Sequence, residues 1–270
     1  MPDFFYLNGQ ILPSEQALLH VSDLAFLRGY GIFDFFRSVN GHTIFMEDHL
    51  DRFENSARLM GLPIPESRER LREIIQELVR LNPAELLGIK LVLTGGYSPD
   101  GYTPTTPNLV VIAKPFTFAP AKVGLKLMSL EHQRELAEVK TTNYAVPIFH
   151  LQKMKKAGAD DFLFHRDGLI TESSRSNIFI VKNEKLITPE RNTLHGITRK
   201  RLIQFTKNHF EVETRDVSVV GFWEADEVFT TGSTKRIIPI TYVDNRPFSG
   251  GEMGKITQKL QSLFLEHENC

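Results

Sequence analysis

The alternation of apolar and polar residues divides this 270-residue chain into short, well-separated elements. "FFYLNGQIL" alternates on either side of Asn8-Gly9, a pair suited to a two-residue turn, and predicts a hairpin. "MEDHLDRFENSARLMGL" carries Leu50, Phe53, Ala57 and Met60 at helical spacing, with Gly61 suited to its end. "SRERLREIIQELVRL" predicts a second amphipathic helix, and "GIKLVLTGG" and "NLVVIAKPF" read as buried strands. Between those strands, "GYSPDGYTPTTP" is too rich in Gly and Pro for either regular state. Strands flank it closely, so it reads as a functional loop rather than a linker.

The texture changes at "PFTFAPAKV", and a domain joint is expected there: a first domain over 1–116, a linker over 117–122 and a second domain over 123–270. In the second part a strand, "GLKLMSL", leads through Lys140 into a helix expected over about 143–157. Hairpins are predicted to turn at Asp167-Gly168, near Asn183-Glu184 and at Asp244-Asn245. A helix over about 197–208, a strand at "EVFTT" and a closing helix complete the pattern. Strands and helices mix without regular βαβ alternation, which predicts α+β halves rather than a doubly wound sheet.

Composition narrows the function classes. With 41% hydrophobic and 24% charged residues the chain has enough apolar material for a large core. A net charge of -1 lacks the basic excess of a nucleic-acid binder. The single cysteine, Cys270, excludes a disulfide framework and a cysteine-rich zinc site. "MPDFFYLNGQ" lacks the pattern of a signal peptide, and no apolar run is long enough for a membrane helix, so a soluble cytoplasmic protein is expected. His20, His49, His150 and His195 are scattered without metal-ligand spacing, and no metal is expected.

Four stretches carry candidate chemistry. In "EVKTTNYAVPIFHLQKM", Lys140 stands at the seam between an extended segment and a helix. In "LITESSRSNIFIV", apolar runs flank a polar centre with Glu172, Arg175 and Asn177; the plain alternative is a bulged, solvated turn. In "LHGITRKRLIQF", Gly196, Ile197 and Thr198 open a helix whose free N–H groups suit an anion, although an ordinary capped helix has the same appearance. "FTTGSTKRIIP" adds Gly232, Ser233 and Thr234 after a strand, again suited to a phosphate. A lysine amine, a carboxylate and two phosphate-cradling loops together match the needs of pyridoxal 5'-phosphate.

The run "ESSRSNIFIVKNEKLITPERNTLHGITRK" resembles the signature of class IV aminotransferases, and the resemblance extends over essentially the whole chain. The family includes D-amino-acid aminotransferases, branched-chain aminotransferases and aminodeoxychorismate lyases. The resemblance implies fold type IV: a small N-terminal α/β domain, a larger C-terminal domain built on a barrel-like sheet, and a homodimer with the cofactor between domains. By position it implies Lys140 as the Schiff-base lysine and Glu172 as the partner of the pyridine nitrogen, with Asn177 close by. It implies Arg52 of "HLDRFENSA", Ile197, Thr198, Ser233 and Thr234 around the phosphate, and Tyr144 near the cofactor's phenolic oxygen. A binding protein that keeps the fold without catalysis is the rival reading; the presence of both Lys140 and Glu172 argues against it.

The substrate's hand depends on where the α-carboxylate is anchored, and arginine is the usual anchor. Arg28 and Tyr30 lie in "SDLAFLRGYGIFDFF", and Arg175 lies between Glu172 and Asn177. The pattern RGYGIFD, GGYSPDGYTP, VKTTNY and ESSRSN looks most like a divergent group of D-amino-acid aminotransferases with arginines at these two places. The expected reaction moves an amino group from a D-amino acid, such as D-alanine or D-glutamate, to a 2-oxo acid such as 2-oxoglutarate. A branched-chain L-amino-acid aminotransferase and a 4-amino-4-deoxychorismate lyase are the alternatives.

Overall fold

The structure is a computed structural model, described here over residues 3–119 and 123–268. The expected linker lies partly outside these residues, at 120–122. The chain divides into two compact units, Met1–Thr117 with Val139–Asn143, and Phe118–Glu138 with Tyr144–Cys270. The short segment bearing Lys140 therefore groups with the first unit, where the sequence suggests the second.

The first unit is built on a six-stranded sheet. Its elements are β1 (Phe4–Leu7), β2 (Gln10–Pro13), α1 (Leu24–Arg28), β3 (Gly31–Val39), β4 (His42–Thr43), α2 (Met46–Leu59), α3 (Arg68–Leu81), β5 (Leu86–Thr94) and β6 (Leu109–Pro115). The strand order is β2-β1-β6-β5-β3-β4, antiparallel throughout. The apolar positions of α2 and α3 pack with Ile89, Leu91, Val111 and Phe36 into one core. The pattern reading missed β3, because "GIFDFFRSV" looks like an aromatic-rich stretch rather than an alternating one. Its polar Asp34 and Arg37 are buried, which conceals the period of two.

The second unit comprises β7 (Leu125–Glu131), α4 (Ala145–Phe149), α5 (Leu151–Lys156), β8 (Asp161–Arg166), β9 (Leu169–Ser173), β10 (Asn177–Lys182), β11 (Lys185–Thr188), α6 (Ile197–Thr206), β12 (Val212–Thr214), β13 (Val217–Ser218), α7 (Val219–Trp223), β14 (Glu227–Gly232), β15 (Arg236–Val243), β16 (Arg246–Pro247) and α8 (Lys255–Glu268). The helix expected over 143–157 is two short helices. Pro147 supplies no N–H, and His150, at φ -84° and ψ -1°, separates α4 from α5.

Along the path β10-β14-β15-β7-β8-β9 each strand is hydrogen-bonded to the next, and β9 pairs back with β10 through Glu172 and Asn177. The sheet thus closes on itself as a barrel. Ile178, Ile180, Val228 and Ile240 fill one side of it, and Phe179 stacks on Phe229 at 5.0 Å on the other. Trp223, the one tryptophan, lies parallel to Phe248 at 5.6 Å, with the Arg246 guanidinium 4.2 Å above it. Among the described residues no helix is long and apolar enough to cross a membrane.

The start of α8 is held by a side chain from β14. Glu227 accepts from the N–H groups of Ile256 at 3.0 Å and Thr257 at 2.8 Å, and from the Thr257 hydroxyl at 2.7 Å. The approach requires glycine at 254, where a Cβ would lie 1.9 Å from Glu227 Cδ. Replacing Glu227 with Ala leaves these donors buried at a positively polarised helix end. Urea denaturation should show a loss of about 1.5–3 kcal/mol, the range for bonds to a charged group.

Candidate active site

In the first unit, β3 and α2 create a buried ionic cluster. His49 and Arg52 are three residues apart on α2 and so share a face. Both meet Asp34 of β3, which has no solvent exposure. Arg52 donates from Nε to Oδ2 and from Nη2 to Oδ1, each at 2.8 Å, a bidentate pair that leaves Nη1 without a partner among the described residues. His49 Nδ1 lies 2.6 Å from Asp34 Oδ1. Burial alone would raise the Asp34 carboxyl, but Arg52 and His49 outweigh it and hold the group well below the usual carboxylate range. Burial pushes His49 down from the ordinary imidazole value against the pull of Asp34, which favours the neutral ring.

Lys140 is positioned by β3. The Lys140 carbonyl accepts from Phe33 N–H at 2.9 Å, Thr141 bridges Ile32, and Thr142 N–H donates to the Gly31 carbonyl at 2.9 Å. The amine lies 4.6 Å from the centre of the Phe33 ring, and its charge is felt at His49. Lys140 and Arg52 thus approach the same histidine from β3's flank and from α2. Arg28, the exposed last residue of α1, donates to its neighbour's carbonyl, Leu27, at 3.0 Å and to no other group among the described residues. The Tyr30 hydroxyl is engaged by the Met60 carbonyl at 2.6 Å, and its ring packs over Gly95.

In the second unit the barrel's closing pair is the centre of the arrangement. Glu172 is buried and accepts from Arg134 Nε at 2.7 Å through Oε1, while Oε2 accepts from Leu194 N–H at 3.2 Å and the Thr193 hydroxyl at 3.4 Å. Asn177 donates from Nδ2 to the same two residues, Leu194 O at 2.6 Å and Thr193 Oγ1 at 3.1 Å. Its Oδ1 lies where a Cβ on residue 196 would be, 2.0 Å away, so only glycine fits. Gly196 is the N-cap of α6 and offers no side-chain cap. The buried Ile197 and Thr198 that follow therefore begin a helix with uncapped N–H groups. Two further hydroxyls, Ser176 Oγ and Thr231 Oγ1, are buried without a hydrogen-bond partner among the described residues.

Ser233 and Thr234 lie in the turn between β14 and β15, beside the strand that carries Asn177. Tyr144 is half-buried at the start of α4. Arg175 is exposed at the turn between β9 and β10. It lines a cavity of about 530 Å³ with Thr234, Lys235, Arg236, Phe118 and Phe264.

Comparison with known proteins places this geometry. The family model "Amino-transferase class IV" matches residues 31–243. A Methanocaldococcus jannaschii protein named "Putative branched-chain-amino-acid aminotransferase" is 31% identical over 97% of this chain and 95% of its own length. The chain belongs to the class IV aminotransferase family. A D-alanine aminotransferase of Bacillus licheniformis is 28% identical over 94% of this chain and 93% of that one. The solved branched-chain amino acid aminotransferase of T.th. with pyridoxamine 5'-phosphate superposes with a TM-score of 0.91 at 26% identity, covering 98% of this chain and 94% of that chain. The class IV fold, a small sheet domain and a larger domain with a barrel-like sheet, is thus the one observed, and class IV aminotransferases act on amino acids and 2-oxo acids.

Pattern reading overlooked the residues that hold the candidates in place. Arg134 and Asp34 have the strongest claims. Arg134 sits in "EHQRELAEVK", a polar run with no period, and gives no local signal. Asp34 could have been noticed as a lone acid within an aromatic strand. Asp34→Asn removes the charge that pairs with Arg52 and should cost about 3–5 kcal/mol, the cost of breaking a buried ion pair. The folded carboxyl lies below its unfolded value of about 4, so its contribution is present above that pH and is lost as the pH falls through the folded value. Urea titrations across pH should therefore show the variant losing less stability than wild type on acidification below about pH 4.

Proposed function

We propose that this class IV enzyme is a pyridoxal 5'-phosphate-dependent transaminase that takes its amino group from D-amino acids and passes it to 2-oxo acids such as 2-oxoglutarate. The observation that carries the D-amino-acid reading is a contrast among arginines. Arg52, Arg134 and Arg199 each pair with a carboxylate, whereas Arg28 and Arg175 are exposed and make no ion pair among the described residues. Two guanidiniums left to solvent are suited to a carboxylate brought by a ligand.

The polar atoms of each unit fit the cofactor. The uncapped start of α6 and the unpartnered Thr231 hydroxyl suit a phosphate, as do the free Nη1 of Arg52 and the hydroxyls of Ser233 and Thr234. Glu172, held on both oxygens by Arg134 and by the 193–194 backbone and hydroxyl, would face the pyridine nitrogen, with Asn177 fixing the same loop. Tyr144 would serve the phenolic oxygen. When bound, the cofactor supplies an aldehyde that captures an amine and a ring that withdraws electrons.

Around that chemistry, Lys140 Nζ would hold the cofactor, and the same amine would move the proton at the substrate Cα. Phe33 beneath the amine limits its orientations. Arg28 and Arg175 would each suit the substrate carboxylate, whereas the Tyr30 hydroxyl, already donated to the Met60 carbonyl, would contribute its ring alone. Asp34 and His49 keep Arg52 extended from α2, so that one guanidinium face stays available. A second copy of the chain is the proposed partner. Leu18, Val21, Phe26 and Tyr102 in the first unit, and Ile148 and Phe149 in the second, expose large apolar surface that association would cover.

A branched-chain L-amino-acid reading draws support from the likeness to the T.th. enzyme. A donor panel in both enantiomers, with 2-oxoglutarate and pyruvate as acceptors, separates the readings. D-Alanine or D-glutamate should be turned over. Brisk transamination of L-leucine or L-valine without D-activity would replace this reading with the branched-chain one, and pyruvate release from aminodeoxychorismate alone would indicate the lyase.

Arg28→Leu and Arg175→Leu should each raise the donor KM about tenfold or more, with cofactor affinity changed much less, because the loss falls on substrate binding. Borohydride reduction followed by peptide mapping should place the cofactor label on Lys140, and a label on another lysine would reject the assignment.

A further inference from the structure

Two turns that carry candidate residues are tied to one buried carboxylate. Asp161, the first residue of β8, is 2% exposed. Its Oδ2 accepts from Lys235 Nζ at 2.8 Å. Its Oδ1 accepts from the Ser174 hydroxyl and from Phe162 N–H, the latter at 2.9 Å. Lys235 belongs to the turn with Ser233 and Thr234, and its N–H closes that turn on the Gly232 carbonyl at 3.0 Å. Ser174 belongs to the turn between Glu172 and Asn177, immediately before Arg175. Asp161 itself is fixed, because β8 is registered against β7 at Leu127.

Among the described residues Lys235 makes the one ion pair within the two turns themselves, while Arg134 with Glu172 and Arg236 with Glu268 pair just outside them. Arg175 has no ion pair among the described residues, Ser176 Oγ is unpartnered, and Thr234 is exposed. A carboxylate taken out of water requires charge and donors; beyond its own strand's Phe162 N–H, Asp161 takes them from the two turns, the ammonium of Lys235 from one and the hydroxyl of Ser174 from the other. The geometry therefore makes the position of one turn depend on the other. Lys235 and Arg175 also line the same cavity of about 530 Å³, so a shift of the 174–176 turn would move the Arg175 guanidinium within that space.

We propose that Lys235, Asp161 and Ser174 form a positioning brace that sets Arg175 for the substrate carboxylate and couples it to the Ser233–Thr234 turn. Lys235 is then a positioning residue for donor affinity, which rests on the D-amino-acid transaminase reading above. Fixing the guanidinium in advance removes an ordering cost from binding and leaves the chemical step alone.

The test uses the full-length holoenzyme with Lys235→Met, Lys235→Arg and Ser174→Ala. The double variant Asp161→Asn with Lys235→Met removes both charges and guards against a misfolded single variant. Lys235→Met and the double variant should raise the KM for D-glutamate about tenfold to hundredfold, the equivalent of one lost charge-assisted bond, with kcat within about threefold. Lys235→Arg should recover most of the affinity, and Ser174→Ala should give a smaller rise. Amide hydrogen exchange should quicken together in 173–177 and 232–235, with β5 unchanged. An unaltered KM in the double variant, or quickened exchange confined to 232–235, would overturn the brace. Absence of D-amino-acid turnover in wild type would instead reject the D-amino-acid reading, and the exchange experiment would still decide whether the two turns are coupled.

Discussion

The pairing of Glu172 with Asn177 closes the barrel of the second unit, and most of the candidate chemistry of that unit depends on it. Only four residues separate the two, so β9 reverses into β10 through a short turn. The Ser173 N–H to Ser176 carbonyl bond, at 2.8 Å, supplies part of the closure. Side chains supply the rest. Glu172 and Asn177 both reach the Thr193–Leu194 segment, and Asn177 dictates glycine at 196, where α6 begins. One strand pair thereby places a carboxylate, an amide and a helix start in fixed relation. A side chain larger than glycine at 196 would disturb all of them at once.

Ionic groups are used differently in the two units. In the first, Asp34 is almost saturated: a bidentate guanidinium and an imidazole consume its acceptors, and the arrangement is a stiff support beneath α2. In the second, Asp161 accepts one bond from each of two turns and one from its own strand, which makes it a joint rather than a support. Both are costly to bury, and both return that cost in definition of geometry. Arg28 and Arg175 are exposed and make no ion pair among the described residues, although the Arg175 charge is felt at Asp161.

Legibility in the sequence followed the range of the interactions. Hairpins with turns at Asn8-Gly9, Asp167-Gly168, Asn183-Glu184 and Asp244-Asn245 were readable, because their residues adopt the positive φ angles such turns need. Amphipathic α2 and α3 were readable from spacing. β3 was not, since buried Asp34 and Arg37 disguise its period, and the break at His150 was not, since a helical pattern continues through it. Lys140, Glu172 and Arg52 stood out through motif likeness. Their partners did not: Arg134 is 38 residues from Glu172, Asp34 is 18 from Arg52 and Lys235 is 74 from Asp161. Contacts made by such distant segments leave no local pattern.

The stack of Trp223, Phe248 and Arg246 has an optical consequence. Trp223 is the one indole in the chain, so the red-edge emission excited near 295 nm originates in the second unit alone. A guanidinium 4.2 Å from the ring and an aromatic plane at 5.6 Å make that emission sensitive to local packing. The first unit has no tryptophan; its tyrosines are Tyr6, Tyr30, Tyr97 and Tyr102. Its melting is silent at that wavelength and visible in the far-ultraviolet dichroism of its sheet, so the two signals diverge wherever the halves lose structure at different temperatures.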